Sequence, residues 1–184
     1  MTSKILLSGF GGQGILAMGK MYAQAASNED KEVTSMPFYE GSMRGGAANT
    51  YLIVSDERIK CPVISKSTAD VVVAMYQRAA NDYGQHAKSE GIVLVNTDMV
   101  DELPNTQGAQ LVKIPVNTIA VELNNERSAN IVMLGALSAC TEAVPREAVE
   151  TVIKNQFEKK HPELVKPNLK AFEAGYECAK KELT

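Results

Sequence analysis

Ile5-Leu6-Leu7-Ser8-Gly9-Phe10-Gly11-Gly12-Gln13-Gly14-Ile15 is the stretch from which the fold is read. An apolar, strand-like run ends in a cluster of glycines, and a helix-like stretch begins near Ile15. A helix start leaves several N–H groups without carbonyl partners. Glycines let the turn adopt positive φ and let a ligand approach without meeting a Cβ. The free N–H groups and the helix dipole attract negative charge. Gly11, Gly12, Gln13 and Gly14 are therefore read as an anion cradle. Lys20, farther along the helix, either adds positive charge to it or points to solvent. The plainer reading is that these glycines only close a tight β–α turn and pack helix on sheet.

The spacing Gly9, Gly11, Gly14 matches the dinucleotide fingerprint G-x-G-x-x-G. That fingerprint also wants an acid at the end of the second strand. Here the second strand is predicted at Val33-Thr34-Ser35-Met36, followed by Pro37-Phe38-Tyr39, and the nearest acid, Glu40, falls in the next loop. The fingerprint is incomplete. A second glycine-rich loop, Met43-Arg44-Gly45-Gly46, places a guanidinium in a turn. Its planar donor fork suits phosphate or carboxylate, on a ligand or on a partner. Internal pairing with Glu40 or Asp56 is the alternative for Arg44.

Working outward, the pattern alternates. Strands are predicted at residues 4–10, 33–36, 48–55, 71–74, 91–96 and 110–116, and helices at 14–27 and 77–89. Val71-Val72-Val73 and Ile92-Val93-Leu94-Val95 are continuous apolar runs of the kind buried on both faces of a parallel sheet. Residues 58–67 fit no element. The last third is helical. Ser128 is a plausible N-cap for a helix over 129–141 that carries Gly135, Ala136 and Ala139 and is apolar almost all round. Pro145 suits the start of the next helix. A final helix places Val165, Leu169, Phe172, Tyr176, Ala179 and Leu183 on one stripe, read as docked on the chain's own core. The fold expected is α/β: a single domain over 1–184, with a mostly parallel, Rossmann-like sheet, helices on both faces and a helical C-terminal third.

Composition narrows the function. The chain has 184 residues, a net charge of −3 and 45% hydrophobic residues, which argues against a broad nucleic-acid footprint. No apolar stretch reaches membrane-spanning length, and Met1-Thr2-Ser3-Lys4 shows no secretory pattern. Cys61, Cys140 and Cys178 are widely separated, which suits a reducing cytoplasm and no disulfide framework. An iron–sulfur cluster usually needs four thiolates, so none is expected on this chain. His86 and His161, the only histidines, are read as solvated, and Cys140 as a buried small hydrophobe.

The motifs in sequence carry a family resemblance. Gly9-Phe10-Gly11-Gly12-Gln13-Gly14, Lys20, Tyr39 through Arg44-Gly45-Gly46, Ser55-Asp56 and Ala69-Asp70-Val71-Val72-Val73 resemble the gamma subunit of 2-oxoacid:ferredoxin oxidoreductases. Asn130 and Leu134-Gly135-Ala136 are similar to its late helical motif. The resemblance covers roughly residues 4 to 175. Where the family commonly reads Tyr-Gly-x-Glu-x-Arg-Gly-Gly, this chain has Glu40 in place of the glycine and Ser42 in place of the acid.

That resemblance implies a part in oxidative decarboxylation of a 2-oxoacid to an acyl-coenzyme A, with electrons passed to ferredoxin. It implies partners, alpha and beta and in some enzymes delta, that carry thiamine diphosphate and iron–sulfur clusters. It implies a coenzyme A contact here at Gly11, Gly12, Gln13, Gly14, Arg44, Gly45 and Gly46, with no catalytic residue and no metal on this chain, which alone would be inactive. The other class considered is a self-contained nicotinamide- or flavin-nucleotide-binding Rossmann enzyme. The expected partner surface is the loop end of the sheet, with Phe38, Tyr39 and Met43 either covered by another subunit or folded onto the core. The isolated chain is expected to self-associate through the same patch.

Overall fold

Six strands form one sheet in the order β2-β3-β1-β4-β5-β6. In this computed structural model, residues 1–39 and 46–184 are described; Arg44, Gly45 and Met43 lie outside them. The strands are β1 (Thr2–Phe10), β2 (Glu32–Tyr39), β3 (Ala47–Ser55), β4 (Ala69–Ala74), β5 (Ala87–Asn96) and β6 (Gln110–Ile114). β1, β4, β5 and β6 pair in parallel, whereas β3 runs antiparallel between β1 and β2. The sheet is thus mostly parallel with an antiparallel edge. The chain leaves β1 through α1 (Ile15–Asn28) and enters β2 two positions away, with β3 inserted between.

Alternation along β1 assigns the two faces. Ile5 and Leu7 point into the larger core, with Leu52, Val73, Leu94 and Val112. That face is covered by α1, α4 (Ala129–Ala139), α5 (Arg146–Glu158) and α6 (Val165–Leu183). Leu6, with Ile53, Val72 and Val93, belongs to the opposite face. There the short α2 (Gln77–Tyr83) brings Ala79 and Ala80, and irregular segments add Ile64, Val100 and Ala109. The two layers are very unequal.

α4 and α6 approach so closely that only glycine fits at their crossing. A Cβ on Gly135 would lie 1.9 Å from the Phe172 carbonyl oxygen, and one on Gly175 1.8 Å from that of Val132. This is the small-residue packing expected of α4, completed by a glycine on α6. α6 does dock its stripe on the core, burying Ala171, Phe172 and Ala179. Arg146 at the start of α5 clasps α6: its Nε donates to Glu150 (2.6 Å), it pairs with Glu173, and its guanidinium carbon lies 4.6 Å from the Tyr176 ring centre.

Four local expectations are corrected. Helix 77–89 stops at Tyr83. A 3-10 turn follows at Gly84–His86, and Ala87, Lys88 and Ser89 open β5. Ala87 pairs with Ala69, and the register then shifts before Val71 meets Ile92. Gly91 sits at that irregularity, where a Cβ would fall 2.9 Å from the Asp70 carbonyl oxygen. Cross-strand pairing overrides the polar, helix-like look of 84–89. Secondly, β6 ends at Ile114, and Val116 begins a helix, α3 (Val116–Glu122), that the sequence did not announce. Its caps come from a distant strand end: Asn96 Oδ1 accepts the Val116 N–H (3.3 Å), and Asp98 accepts the Thr118 N–H and hydroxyl (each 2.8 Å).

Thirdly, β2 extends to Tyr39, so Phe38 and Tyr39 are strand rather than loop residues. Pro37 is tolerated because β2 is an edge strand. Fourthly, Ser128 does not cap α4 with its side chain; its hydroxyl donates to the Asn125 carbonyl instead (2.6 Å). Among the described residues no helix is long and apolar enough to cross a membrane.

Candidate functional site

Phe10, Tyr39, Gly46, Met75, Asn96 and Ile114 all lie at one end of the sheet, because the parallel strands finish there and the β2–β3 connection turns there. This is the edge where open α/β sheets place ligand crevices. The glycine loop crosses it. Gly12 has φ +104° and Gly14, the residue before α1, has φ +75°. Both conformations are strained for an L side chain.

The loop is held from three directions. The Gly11 N–H donates to the Gly46 carbonyl (3.1 Å), which joins the two glycine-rich segments of the sequence. The Gln13 N–H donates to the Phe10 carbonyl (3.1 Å). The Gln13 side chain accepts the Phe10 N–H (3.0 Å) and donates to the Met75 carbonyl (3.1 Å), tying the loop to the end of β4. Of the four loop N–H groups, those of Gly11 and Gln13 are therefore engaged. Those of Gly12 and Gly14 have no acceptor among the described residues. A Cβ on Gly12 would meet nothing within 4 Å, so the loop borders open space there. The same construction on Gly14 would strike Asn130 Nδ2 at 2.6 Å; this asparagine, from the first turn of α4, rests directly on the loop.

Beside the loop is a cavity of about 430 Å³ lined by Phe10, Gly12, Gln13, Gly14, Arg127 and Asn130, with Met99, Asn117 and Glu126 on its far wall. Arg127 forms no ion pair among the described residues. Asn96 organises the far wall. Fully buried at the end of β5, it donates to the Met75 carbonyl (3.3 Å) and to Asn117 Oδ1 (2.9 Å) while accepting from Val116 and Asp98 (3.3 Å each). One side chain thereby couples the ends of β4 and β5 to α3. Arg127, Asn117 and Asn96 escaped the reading of the sequence; the polar cluster Asn96-Thr97-Asp98 after the Ile92–Val95 run was the available signal.

The structure does not bring Lys20 to the glycine loop. It lies on the exposed side of α1 and lines a different groove. Tyr76 joins the site edge, its ring 5.4 Å from that of Phe10. Phe38 and Tyr39 are 43% and 67% exposed, so they are not folded into the core, although Phe38 rests against the Tyr51 ring at 5.0 Å. Asp56, considered as a partner for Arg44, is engaged by Lys31 and by the N-terminal ammonium (2.7 Å).

His86 is not the solvated residue expected. Its ring lies 5.2 Å from that of Tyr83, its Nδ1 is buried with no hydrogen-bond partner among the described residues, and burial and then Lys66 push its pKa down. His161 is exposed, near Glu163 (3.4 Å). Cys140 is half-buried, and burial raises its thiol to about 12, which suits an inert packing role. Among the described residues no three His, Cys, Asp or Glu side chains converge as a metal ion would need.

Comparison with known proteins follows the same architecture. Residues 4–178 match the family described as pyruvate ferredoxin/flavodoxin oxidoreductase. The 2-oxoglutarate synthase subunit KorC of Methanocaldococcus jannaschii is 40% identical over 184 residues, covering 98% of this chain and 95% of that protein. The crystal structure of the keto/oxoacid ferredoxin oxidoreductase gamma subunit from Geobacter sulfurreducens superposes with a TM-score of 0.81 at 34% identity, covering 96% of this chain and 98% of that one. The 2-oxoglutarate:ferredoxin oxidoreductase of Magnetococcus marinus, solved with 2-oxoglutarate, coenzyme A and succinyl-CoA bound, superposes with a TM-score of 0.87 at 28% identity. This chain covers 31% of that larger one and is 98% covered by it. These matches displace the self-contained nucleotide enzyme as an alternative: the chain belongs to the pyruvate ferredoxin/flavodoxin oxidoreductase family, as the gamma subunit of a 2-oxoacid:ferredoxin oxidoreductase.

Proposed function

We propose that this subunit supplies the coenzyme A phosphate site of an enzyme that oxidatively decarboxylates a 2-oxoacid to its acyl-CoA and reduces ferredoxin. The observation that carries this reading is that the Gly12 and Gly14 N–H groups have no acceptor among the described residues, in a loop that lines one cavity with Arg127. A phosphate accepts such N–H donors at a helix start and is drawn by the dipole. Gly11 and Gln13 contribute by holding the loop, since their N–H groups are spent on the Gly46 and Phe10 carbonyls rather than on the anion. Gly46 anchors it through its carbonyl, and Arg44 and Gly45, outside the described residues, are kept in the proposed coenzyme A contact on the strength of their sequence motif. The related enzyme from Magnetococcus marinus, solved with coenzyme A bound, supports the choice of anion.

In this reading thiamine diphosphate and the iron–sulfur clusters reside on alpha, beta or delta chains, and this subunit binds and orients. The isolated chain then reduces neither ferredoxin nor a dye with any 2-oxoacid. Phe38 and Tyr39, exposed at the site edge of β2, are the surface assigned to the partner chains, or to a second copy when those are absent. The working compartment is the cytoplasm, which suits three free cysteines.

The test is Gly12→Asp in the assembled enzyme, compared with Gly12→Asn, which has the same shape without the charge. The expected result is a KM for coenzyme A raised at least about tenfold by Asp and less by Asn, with the KM for the 2-oxoacid unchanged. An unaltered coenzyme A KM in the Asp variant refutes the assignment.

A further inference from the structure

A second concavity lies on the helical face, away from the sheet edge. It encloses about 430 Å³ between α1, α4, α5 and the start of α6. Its floor is apolar, with Met21, Ile131 and Val152 buried beneath it. Its upper walls carry amides, among them Gln24, Asn125 and Asn168. Among the described residues its charged lining is Lys20 and Arg127, with no carboxylate. Neither cation forms an ion pair among the described residues. Arg127 and Asn130 stand on the boundary with the glycine-loop cavity and line both.

We propose that this groove binds a small organic anion with an apolar body. The head group, a carboxylate, sulfonate or phosphate ester, sits between Lys20 and Arg127, and the body lies on Met21, Ile131 and Val152. The volume falls within the range of about 300–1,000 Å³ typical of small-molecule sites, which pair an apolar lining with a few polar groups. Two cations with no acid among them select charge: an anion is attracted, while a cation meets repulsion with no counter-charge in the lining. Each wall amide already donates once, Gln24 to Asn28, Asn125 to Asn168 and Asn168 to Leu164, and has a second N–H to offer a head-group oxygen. This groove shares Arg127 with the cavity of the coenzyme A reading but uses neither Gly12 nor Gly14, and Lys20 and Ala17, the positions tested, line this groove alone.

The experiment is a fluorescence titration of the purified full chain with 1-anilinonaphthalene-8-sulfonate, an aromatic sulfonate. A single saturable site is expected, displaced by decanoate and not by inorganic phosphate. Lys20→Glu should weaken binding about tenfold. Ala17→Trp, at an exposed helix position on the groove's lip, should abolish it. Both variants should melt with the wild type, since neither residue is buried. Unchanged affinity in both variants overturns the proposal. Displacement by phosphate as effective as by decanoate overturns it too, by reducing the site to a bare anion contact. If both variants bind the dye normally but fail to co-purify with partner chains, the groove is a protein interface and the proposal is wrong.

Discussion

Replacing Gly175 by alanine tests the tightest glycine contact among the described residues. The added Cβ would stand 1.8 Å from the Val132 carbonyl oxygen and 2.7 Å from its carbon. A carbon normally sits about 3.3 Å or more from such an oxygen, so the helices must part by roughly 1.5 Å. The obstacle is backbone, and no rotamer change relieves it. Overpacking of this kind costs typically about 1–3 kcal/mol and sometimes more. Alanine recovers up to about 1 kcal/mol of helix propensity over glycine. The cost is expected at the upper end, since parting α4 from α6 also loosens Val132, Ala136 and Phe172, and the net loss is about 2 kcal/mol. For a chain of this size that lowers Tm by about 4–8 °C.

Gly19→Ala is the matched control. It is also helical, but its new Cβ would meet the Thr50 and Leu7 side chains at 3.1–3.5 Å, so propensity and crowding nearly cancel. Thermal unfolding followed by circular dichroism reads both. A Gly175→Ala variant that melts within a degree of the wild type, or no lower than Gly19→Ala, would show that the glycine contact does not fix the helix pair. The same variant has a functional consequence. α4 carries Asn130 against Gly14, so displacement of α4 should disturb the glycine loop as well.

Two further outcomes are expected. Asn96→Ala removes the acceptor for Val116 and the donor to Asn117 and Met75 at a fully buried position; about 2–3 kcal/mol should be lost in urea unfolding, and a loss below 0.5 kcal/mol would show that the hub is dispensable. Hydrogen bonds from Lys31 and the N-terminal ammonium hold the Asp56 carboxyl at about 2, below its ordinary 3.8. The folded value is the lower one, so its contribution is complete above the ordinary value and lost as pH falls through about 2. Asp56→Asn should flatten the fall in stability across that acid window, and slopes equal to the wild type's would refute the pairing.

The apolar periodicities of Ile5–Leu7, Val71–Val73 and Ile92–Val95, the glycines after Phe10 and the stripe on the last helix were enough to read an α/β chain with a loop at the end of its first strand. Each is a local property: alternation, a turn that needs positive φ, or a helical face that must be covered. The family was legible for the same reason, since its motifs are short and ordered along the chain. The placement of Phe38 and Tyr39 in a strand, the opening of β5 at Ala87 and the existence of α3 were not, because each is set by a partner far away in sequence. Pairing with β3 extends β2, pairing with Ala69 recruits Ala87, and Asn96 and Asp98 cap a helix some twenty residues on. The site shows the same division. Glycine spacing marked the loop, yet which N–H groups stay free depends on Gly46, and the cation beside them, Arg127, arrives only when α4 folds back over the sheet. Hydrogen bonds and charges act over a few ångströms of space, whatever the separation along the chain, and only the packed tertiary structure decides which residues come that near.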